Sequence, residues 1–188
     1  MPIPEGTTIR HARREDVPII LGLIRELAIY EKEPPSTVEA TESSLLSTIA
    51  FAPSPIVSPS NTTPSTGDAV SRSRPARAIL IFTPANEPAG VALYFYNYST
   101  WRARPGIYLE DLFVRESERG NGYGLRLLAE LAKEVVEMGG KRLEWCVLKW
   151  NEPSIRFYEG VVGAKAMDEW QTMRVDGEAL EKLAGRAG

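Results

Sequence analysis

Ile107-Tyr108-Leu109-Glu110-Asp111-Leu112-Phe113-Val114 is followed, four polar residues later, by Arg119-Gly120-Asn121-Gly122-Tyr123-Gly124. The first run is apolar and strand-like around two carboxylates. Leu125 to Met138, beyond the second run, has helical spacing. A strand, a glycine-rich turn and a helix in that order make an anion site. The first turn of a helix carries N–H groups with no intrahelical partner and a partial positive charge. Glycines let a phosphate reach those groups with no Cβ in the way. The turn is therefore read as the seat of a cofactor pyrophosphate.

Two common phosphate loops do not fit. The nucleoside-triphosphate loop needs Lys and then Ser or Thr after its last glycine, and here Leu125 and Arg126 follow Gly124. The dinucleotide fingerprint needs G-x-G-x-x-G early in a strand–helix–strand unit. Here the glycines are spaced G-x-G-x-G, late in the chain, with Arg119 in front.

Working outward, the chain has 188 residues, 43% of them hydrophobic and 25% charged, an ordinary globular balance. We expect a single domain over 1–188. The net charge of −3 gives no electrostatic case for nucleic acid. No apolar run approaches a membrane span, and Met1 to Arg14 lacks a hydrophobic leader core. With one cysteine, Cys146, and one histidine, His11, neither a disulfide, a zinc site nor a histidine-based triad is expected. The lone thiol suits a reducing compartment, so the cytoplasm is expected. Cys146 reads as a small buried strand residue and His11 as a partly exposed one.

Thr8 to Ala12 reads as a first strand. Asp16 is a candidate N-cap for a helix from Val17 to Tyr30, with Ile20, Leu23, Ile24, Leu27 and Ala28 on one face and Pro34-Pro35 beyond its end. Thr41 caps a second helix reaching Ile49. Ala52 to Pro75 is rich in Pro, Ser and Thr and reads as a mobile insertion within the domain. Ala78–Phe82 and Ala89–Tyr98 read as a hairpin. On the helix after the glycine turn, Leu125, Leu128, Leu131, Ala132, Val135 and Val136 are the expected buried face, with Gly139-Gly140 at its end. Then come a strand Arg142–Leu148, a turn at 150–153, a short helix Ser154–Tyr158, a last strand near Trp170–Val175 and a helix Glu178–Leu183. The pattern is α/β (α+β): a mixed, mostly antiparallel sheet flanked by helices.

The carboxylates of Glu110 and Asp111 stand in a strand with apolar flanks, where an unpaired charge is costly. Strict alternation sends them to opposite faces; a β-bulge re-aims one. The bland reading is an ion pair with Arg142 or Arg156. The functional reading is acid–base chemistry. The spacing of Arg119 to Gly124 resembles the coenzyme A motif of the GNAT N-acetyltransferases, and in the acetyl transfer this implies, a free alkylamine, with pKa about 10.4, must lose a proton before attacking the thioester. Glu110 is the candidate base, directly or through water. A backbone N–H near Phe113 is placed to polarise a carbonyl. Tyr158 is a candidate acid for the departing thiolate, although spacing alone reads it as a packed aromatic.

The R-x-x-G-x-G spacing matches the coenzyme A pyrophosphate motif of the GNAT superfamily of N-acetyltransferases. Together with Tyr108 to Val114, Trp150-Asn151-Glu152-Pro153-Ser154, Phe157-Tyr158, and Ile24 to Ala28 followed by Tyr30-Glu31, it resembles the spermidine/spermine (diamine) and thialysine acetyltransferase branch. That resemblance covers most of the chain outside residues 52–75. It implies an acetyl-CoA site at the splay between two central strands, direct transfer in a ternary complex, and no metal. Leu112, Phe113 and Val114 would bind the pantetheine arm. Arg119, Gly120, Asn121, Gly122, Tyr123, Gly124 and Leu125 would hold the pyrophosphate. Asn151, Pro153, Ser154 and Tyr158 would flank the coenzyme, with Tyr158 as the catalytic tyrosine beside Glu110. The acceptor amine would meet Tyr30, Glu31, Glu110, Asp111, Trp101, Glu144, Trp145, Cys146, Trp150 and Glu152. A homodimer is also implied.

The chain departs from the polyamine enzymes at Tyr98-Ser99-Thr100-Trp101, where they carry Tyr-Asp-Pro-Trp. The loss of that carboxylate counts against a long polyamine and resembles the thialysine branch, whereas Trp150-Asn151-Glu152-Pro153-Ser154 resembles the polyamine branch more; the expected acceptor is a small cationic amine, whether polyamine, diamine or thialysine/lysine analogue. Acetylation of a protein lysine or N-terminus, and a coenzyme-A-binding sensor without turnover, are the rival readings.

Overall fold

A computed structural model describes residues 3–54 and 67–187. The chain divides into two compact units, Met1–Cys146 and Val147–Gly188. In the first, the elements run β1 (Thr8–His11), α1 (Val17–Tyr30), α2 (Glu42–Thr48), β2 (Ala76–Phe82), β3 (Pro88–Ser99), β4 (Arg104–Val114), α3 (Tyr123–Glu137) and β5 (Leu143–Trp145). The strands form one sheet in the order β1-β2-β3-β4-β5. Its first three pairings are antiparallel and β4 to β5 is parallel. This is the mixed, mostly antiparallel sheet with flanking helices that the sequence pattern implies.

One face of the sheet carries α1 and α2. Val17, Ile20, Leu21 and Leu23 of α1 and Leu45 of α2 pack with Leu80, Phe82, Val91 and Phe113 in a single core cluster. Tyr94 faces the other way and meets α3, where its hydroxyl donates to Glu134 at 2.7 Å.

The ends of α1 lie where the sequence puts them, and Asp16 stands at its N-cap position, although its side chain does not cap the helix. Asp16 makes no side-chain bond to the first turn of α1. It is 3% exposed, accepts from the Arg13 N–H at 2.7 Å, and binds the Arg10 guanidinium through both oxygens at 2.5 and 2.8 Å. Burial works to raise its pKa, yet the bonds from Arg10 and Arg13 outweigh burial and hold it below the usual carboxylate range. Thr41 does cap α2, accepting from the Ser44 N–H at 3.1 Å.

Two further differences concern α3 and β5. The buried face of α3 is Tyr123, Leu127, Leu128, Leu131 and Val135, while Val136 is 75% exposed and Ala132 is exposed. The helix begins two residues earlier than its spacing suggests, and the i, i+4 stripe starts at Tyr123 rather than Leu125. β5 spans only Leu143–Trp145, not 142–148, because only Ile107, Tyr108 and Leu109 of β4 line up with it.

Of the expected insertion at 52–75, residues 55–66 lie outside the described residues. Its described shoulders are pinned: the Asp68 N–H donates to the Phe51 carbonyl at 2.8 Å, and its carboxylate accepts from the Phe51 N–H at 3.1 Å and from Arg14 at 2.5 Å.

The second unit holds α4 (Glu152–Phe157), one wide helical turn at Tyr158–Val162, and α5 (Gly177–Ala184). The strand expected near Trp170–Val175 is absent: that stretch has strand-like residues but no strand pairs with it. Among the described residues, no helix is long and apolar enough to cross a membrane.

Candidate active site

A single extra residue in β4 sets the site. Tyr94 of β3 pairs with Leu109, whereas its neighbour Leu93 pairs with Asp111. Glu110 has no opposite residue and is the bulge. Paired residues share a face of the sheet and neighbours do not, so Leu109 lies on the Tyr94 face and Asp111 on the Leu93 face. Without the bulge, Asp111 would lie on the Tyr94 face, toward α3. With it, Asp111 lies beside Phe113 on the side covered by α1. A bulge also bends its strand, and β5 stops pairing at Leu109, just before it. From Glu110 to Val114, no strand among the described residues pairs with β4 on the β5 side. The Arg115 N–H points to β3, donating to the Ala89 carbonyl at 2.9 Å. By alternation, the N–H groups of Leu112 and Val114 point to this β5-side edge.

The glycine turn lies beyond that edge. Gly120 and Gly122 have φ of +85° and +77°, a region that costs side-chain-bearing residues strain. A Cβ built on Gly120 meets nothing within 4 Å, so its freedom serves the turn and leaves open space in front of it. Gly122 is the N-cap of α3 and supplies no side-chain acceptor. The first backbone bond of the helix is Arg126 N–H to the Gly122 carbonyl, at 3.0 Å. The N–H groups of Tyr123, Gly124 and Leu125 thus remain available to an anion. These donors, the strand edge and the open space fit a pyrophosphate followed by an extended arm.

Around this edge the structure gathers several of the residues singled out in the sequence. Arg119 donates through Nε to the Val114 carbonyl at 3.2 Å, and its guanidinium lies 4.5 Å from the Tyr30 ring centre. Tyr30 is in turn 6.5 Å from Phe113, ring to ring. Glu31 follows at the end of α1. Burial, then the charges of Glu110 and Glu31, push the Asp111 carboxyl up to about 6. Burial, then Glu33, also raises Glu31. None of Glu31, Glu110 and Asp111 has an ion-pair partner among the described residues. The ion-pair reading of the β4 carboxylates fails, since Arg142 binds Glu144 at 2.8 Å and Arg156 binds Glu152 at 3.2 Å.

Other expected residues stand apart. Trp101 is 92% exposed in the β3–β4 turn, beyond the Ser99–Arg104 pair. Glu110 lies six residue steps along β4 from Arg104, roughly 20 Å at strand rise. The Glu144 carboxylate accepts from Asn97 at 2.7 Å besides binding Arg142. Trp145 pairs with Leu109. Cys146 is exposed rather than buried, because β5 has already ended, and its sulfur accepts from the Tyr108 hydroxyl at 3.1 Å.

In the second unit, Asn151 is buried and caps α4, its side-chain oxygen accepting from the Ser154 N–H at 3.4 Å. Pro153 stands in the first turn, where its missing N–H costs nothing. Glu152 and Trp150 are exposed. Tyr158 packs against Phe157, ring centres 5.4 Å apart.

Two supports escaped the sequence reading. Arg115 clasps Glu26 with Nε to Oε2 at 2.9 Å and Nη2 to Oε1 at 2.7 Å, and also donates to the Pro88 carbonyl at 2.8 Å. This ties α1 to the ends of β3 and β4, but the partners are 89 residues apart and leave no local signal. Glu134 accepts from both Tyr94 and Tyr96. Its position beside the buried Leu131–Val135 stripe was the available clue. Burial and then Glu134 keep both phenols protonated, Tyr96 being pushed up to about 12. Among the described residues, no cluster of three His, Cys, Asp or Glu could hold a metal ion.

The acetyltransferase (GNAT) family model matches residues 47–163. L-ornithine N5-acetyltransferase of Arabidopsis thaliana is 36% identical, over 93% of this chain and 86% of its own. Thialysine N-epsilon-acetyltransferase of Bos taurus is 32% identical, over 95% and 97%. Among solved structures, an integron cassette protein from the mobile metagenome of V.cholerae superposes with a TM-score of 0.71, at 23% identity over 96% of this chain and 99% of that one. That likeness bears on the fold.

Proposed function

The chain belongs to the GNAT family of acetyltransferases, and on that premise we propose that it acetylates a primary amine of a small cationic acceptor, with acetyl-CoA as donor, by direct transfer in a ternary complex. The observation that carries the choice of acceptor is the group Glu31, Glu110 and Asp111, carboxylates with no ion-pair partner among the described residues, at the β5-side edge of β4. An ammonium would supply the missing counter-charge. Relatives named for ornithine and thialysine point to a short diamine or a diamino acid. Ser99, in place of a carboxylate, argues in the same direction and away from long polyamines.

Acetyl-CoA supplies a thioester already activated for attack by an amine. The chain's part is to hold and to move protons. In the proposal, the N–H groups of Gly120 to Leu125, with Asn121 and Arg119 beside them, hold the diphosphate. Leu112, Phe113 and Val114 align the arm, and the free Leu112 or Val114 N–H steadies negative charge on the acyl oxygen. Asp111 and Glu31 bind the ammonium, and Glu110 accepts its proton, directly or through water. Tyr158 returns a proton to the departing thiolate, and Asn151, Pro153 and Ser154 flank the coenzyme. The family match takes in residues of both units, which supports reading 1–188 as one catalytic domain. A homodimer belongs to the proposal. Trp101 stands far along β4 from the carboxylates of its own chain, so a second copy is the natural source of a Trp101 near them.

Thiol release from acetyl-CoA, followed across ornithine, thialysine, lysine, 1,3-diaminopropane and spermidine, tests this reading. Turnover is expected with the short diamines or diamino acids and weaker turnover with spermidine. Silence across the panel, with acetyl-CoA bound, would refute it.

A further inference from the structure

Arg119 is the exposed basic residue at the mouth of the glycine turn, and a long exposed side chain loses rotamer freedom when it grips a phosphate. Here part of that ordering is already present. One edge of the Arg119 guanidinium is fixed by the Nε bond to the Val114 carbonyl at 3.2 Å. Its central carbon lies over the Tyr30 ring, 4.5 Å from the ring centre. The ring does not move freely either: Tyr30 ends α1, packs on the core cluster, and stands against Phe113. α1 is clasped to the sheet by Arg115 and Glu26.

We propose that Tyr30, the last residue of α1, is a positioning residue for the coenzyme, holding Arg119 ready for the diphosphate through its ring face. This rests on the reading that the glycine turn binds acetyl-CoA. It gives α1 a second task besides bordering the amine site through Glu31. It also makes occupation of the two sites interdependent, since any acceptor that moves Tyr30 moves Arg119.

The test is calorimetric titration of acetyl-CoA, without an amine, into the wild-type chain, Tyr30→Leu, Tyr30→Phe, Arg119→Met and the double variant Tyr30→Leu/Arg119→Met. Tyr30→Leu is expected to raise Kd about two- to fivefold, the range of a partly exposed cation–ring contact. Tyr30→Phe retains the ring and is expected to bind several-fold tighter than Tyr30→Leu. In the Arg119→Met background, Tyr30→Leu should cost nothing further. If the two losses multiply, Tyr30 acts through packing and the proposal is overturned, as it is if the Phe variant is as weak as the Leu variant. Should Tyr30→Leu fail to fold, Arg119→Lys decides at an exposed position: it retains the charge without the stacking plane, and wild-type affinity there overturns the proposal. A wild-type chain that does not bind acetyl-CoA would sink the functional reading as well, so the two failures are distinguishable.

Discussion

Asp111 is the residue on which the electrostatics of the site turn. Its carboxyl is pushed up to about 6 by burial, then by Glu110 and Glu31, against about 3.9 in an unfolded chain. The folded state therefore binds the proton more tightly than the unfolded state. The linked stability is fully present below pH 4 and is lost as pH rises through 6. Asp111→Asn removes this loss. Its melting temperature should exceed wild type by about 2–4 °C at pH 8, for roughly 1 kcal/mol after solvent screening, and match it at pH 4. Thermal melts at the two values check the sign; an equal gap at both would mean that charge is not the cause. The same variant should raise the KM for the amine, because the site then lacks one of its counter-charges. Tyr158→Phe should lower kcat at least tenfold while leaving the Kd for acetyl-CoA within about twofold. Unchanged turnover would return Tyr158 to the role of a packed ring.

Among elements, β4 and the turn after it hold most of the candidate site, and their legibility differs by residue. Gly120 and Gly122 were readable because left-handed backbone favours glycine, and the structure shows both at positive φ. The bulge at Glu110 was readable only as an option: alternation predicts where side chains point in a regular strand, and nothing local signals an added residue. β5 is shorter than its sequence pattern because strand propensity says nothing about where a partner diverges, and Trp170–Val175 forms no strand because no strand among the described residues pairs with it. Val136 was misassigned by a helix start set two residues late. The Tyr30–Arg119 and Glu26–Arg115 contacts were invisible in sequence, being products of tertiary folding. At this scale the turn itself is testable. Gly122→Ala forces a side chain into φ of +77° and should lower stability by about 1–2 kcal/mol. Its Kd for acetyl-CoA should also rise, as the N-terminus of α3 shifts. Chemical denaturation together with acetyl-CoA titration separates the two effects; a destabilised variant with wild-type affinity would detach the turn from the coenzyme.

For the molecule as a whole, the first unit brings a helix end, a bent strand and a glycine turn to one sheet edge. On the proposed function, backbone amides along this edge hold acetyl-CoA and aim it at an acidic amine site. The most direct measurement is the backbone amide spectrum of isotopically labelled protein during titration with acetyl-CoA. The account predicts that the resonances of Gly120, Asn121, Gly122, Tyr123, Gly124 and Leu125 shift most, together with Leu112 and Val114, while those of β1 and β2 stay in place. Saturable binding that leaves the 120–125 amides unmoved, with the largest shifts elsewhere, would contradict it.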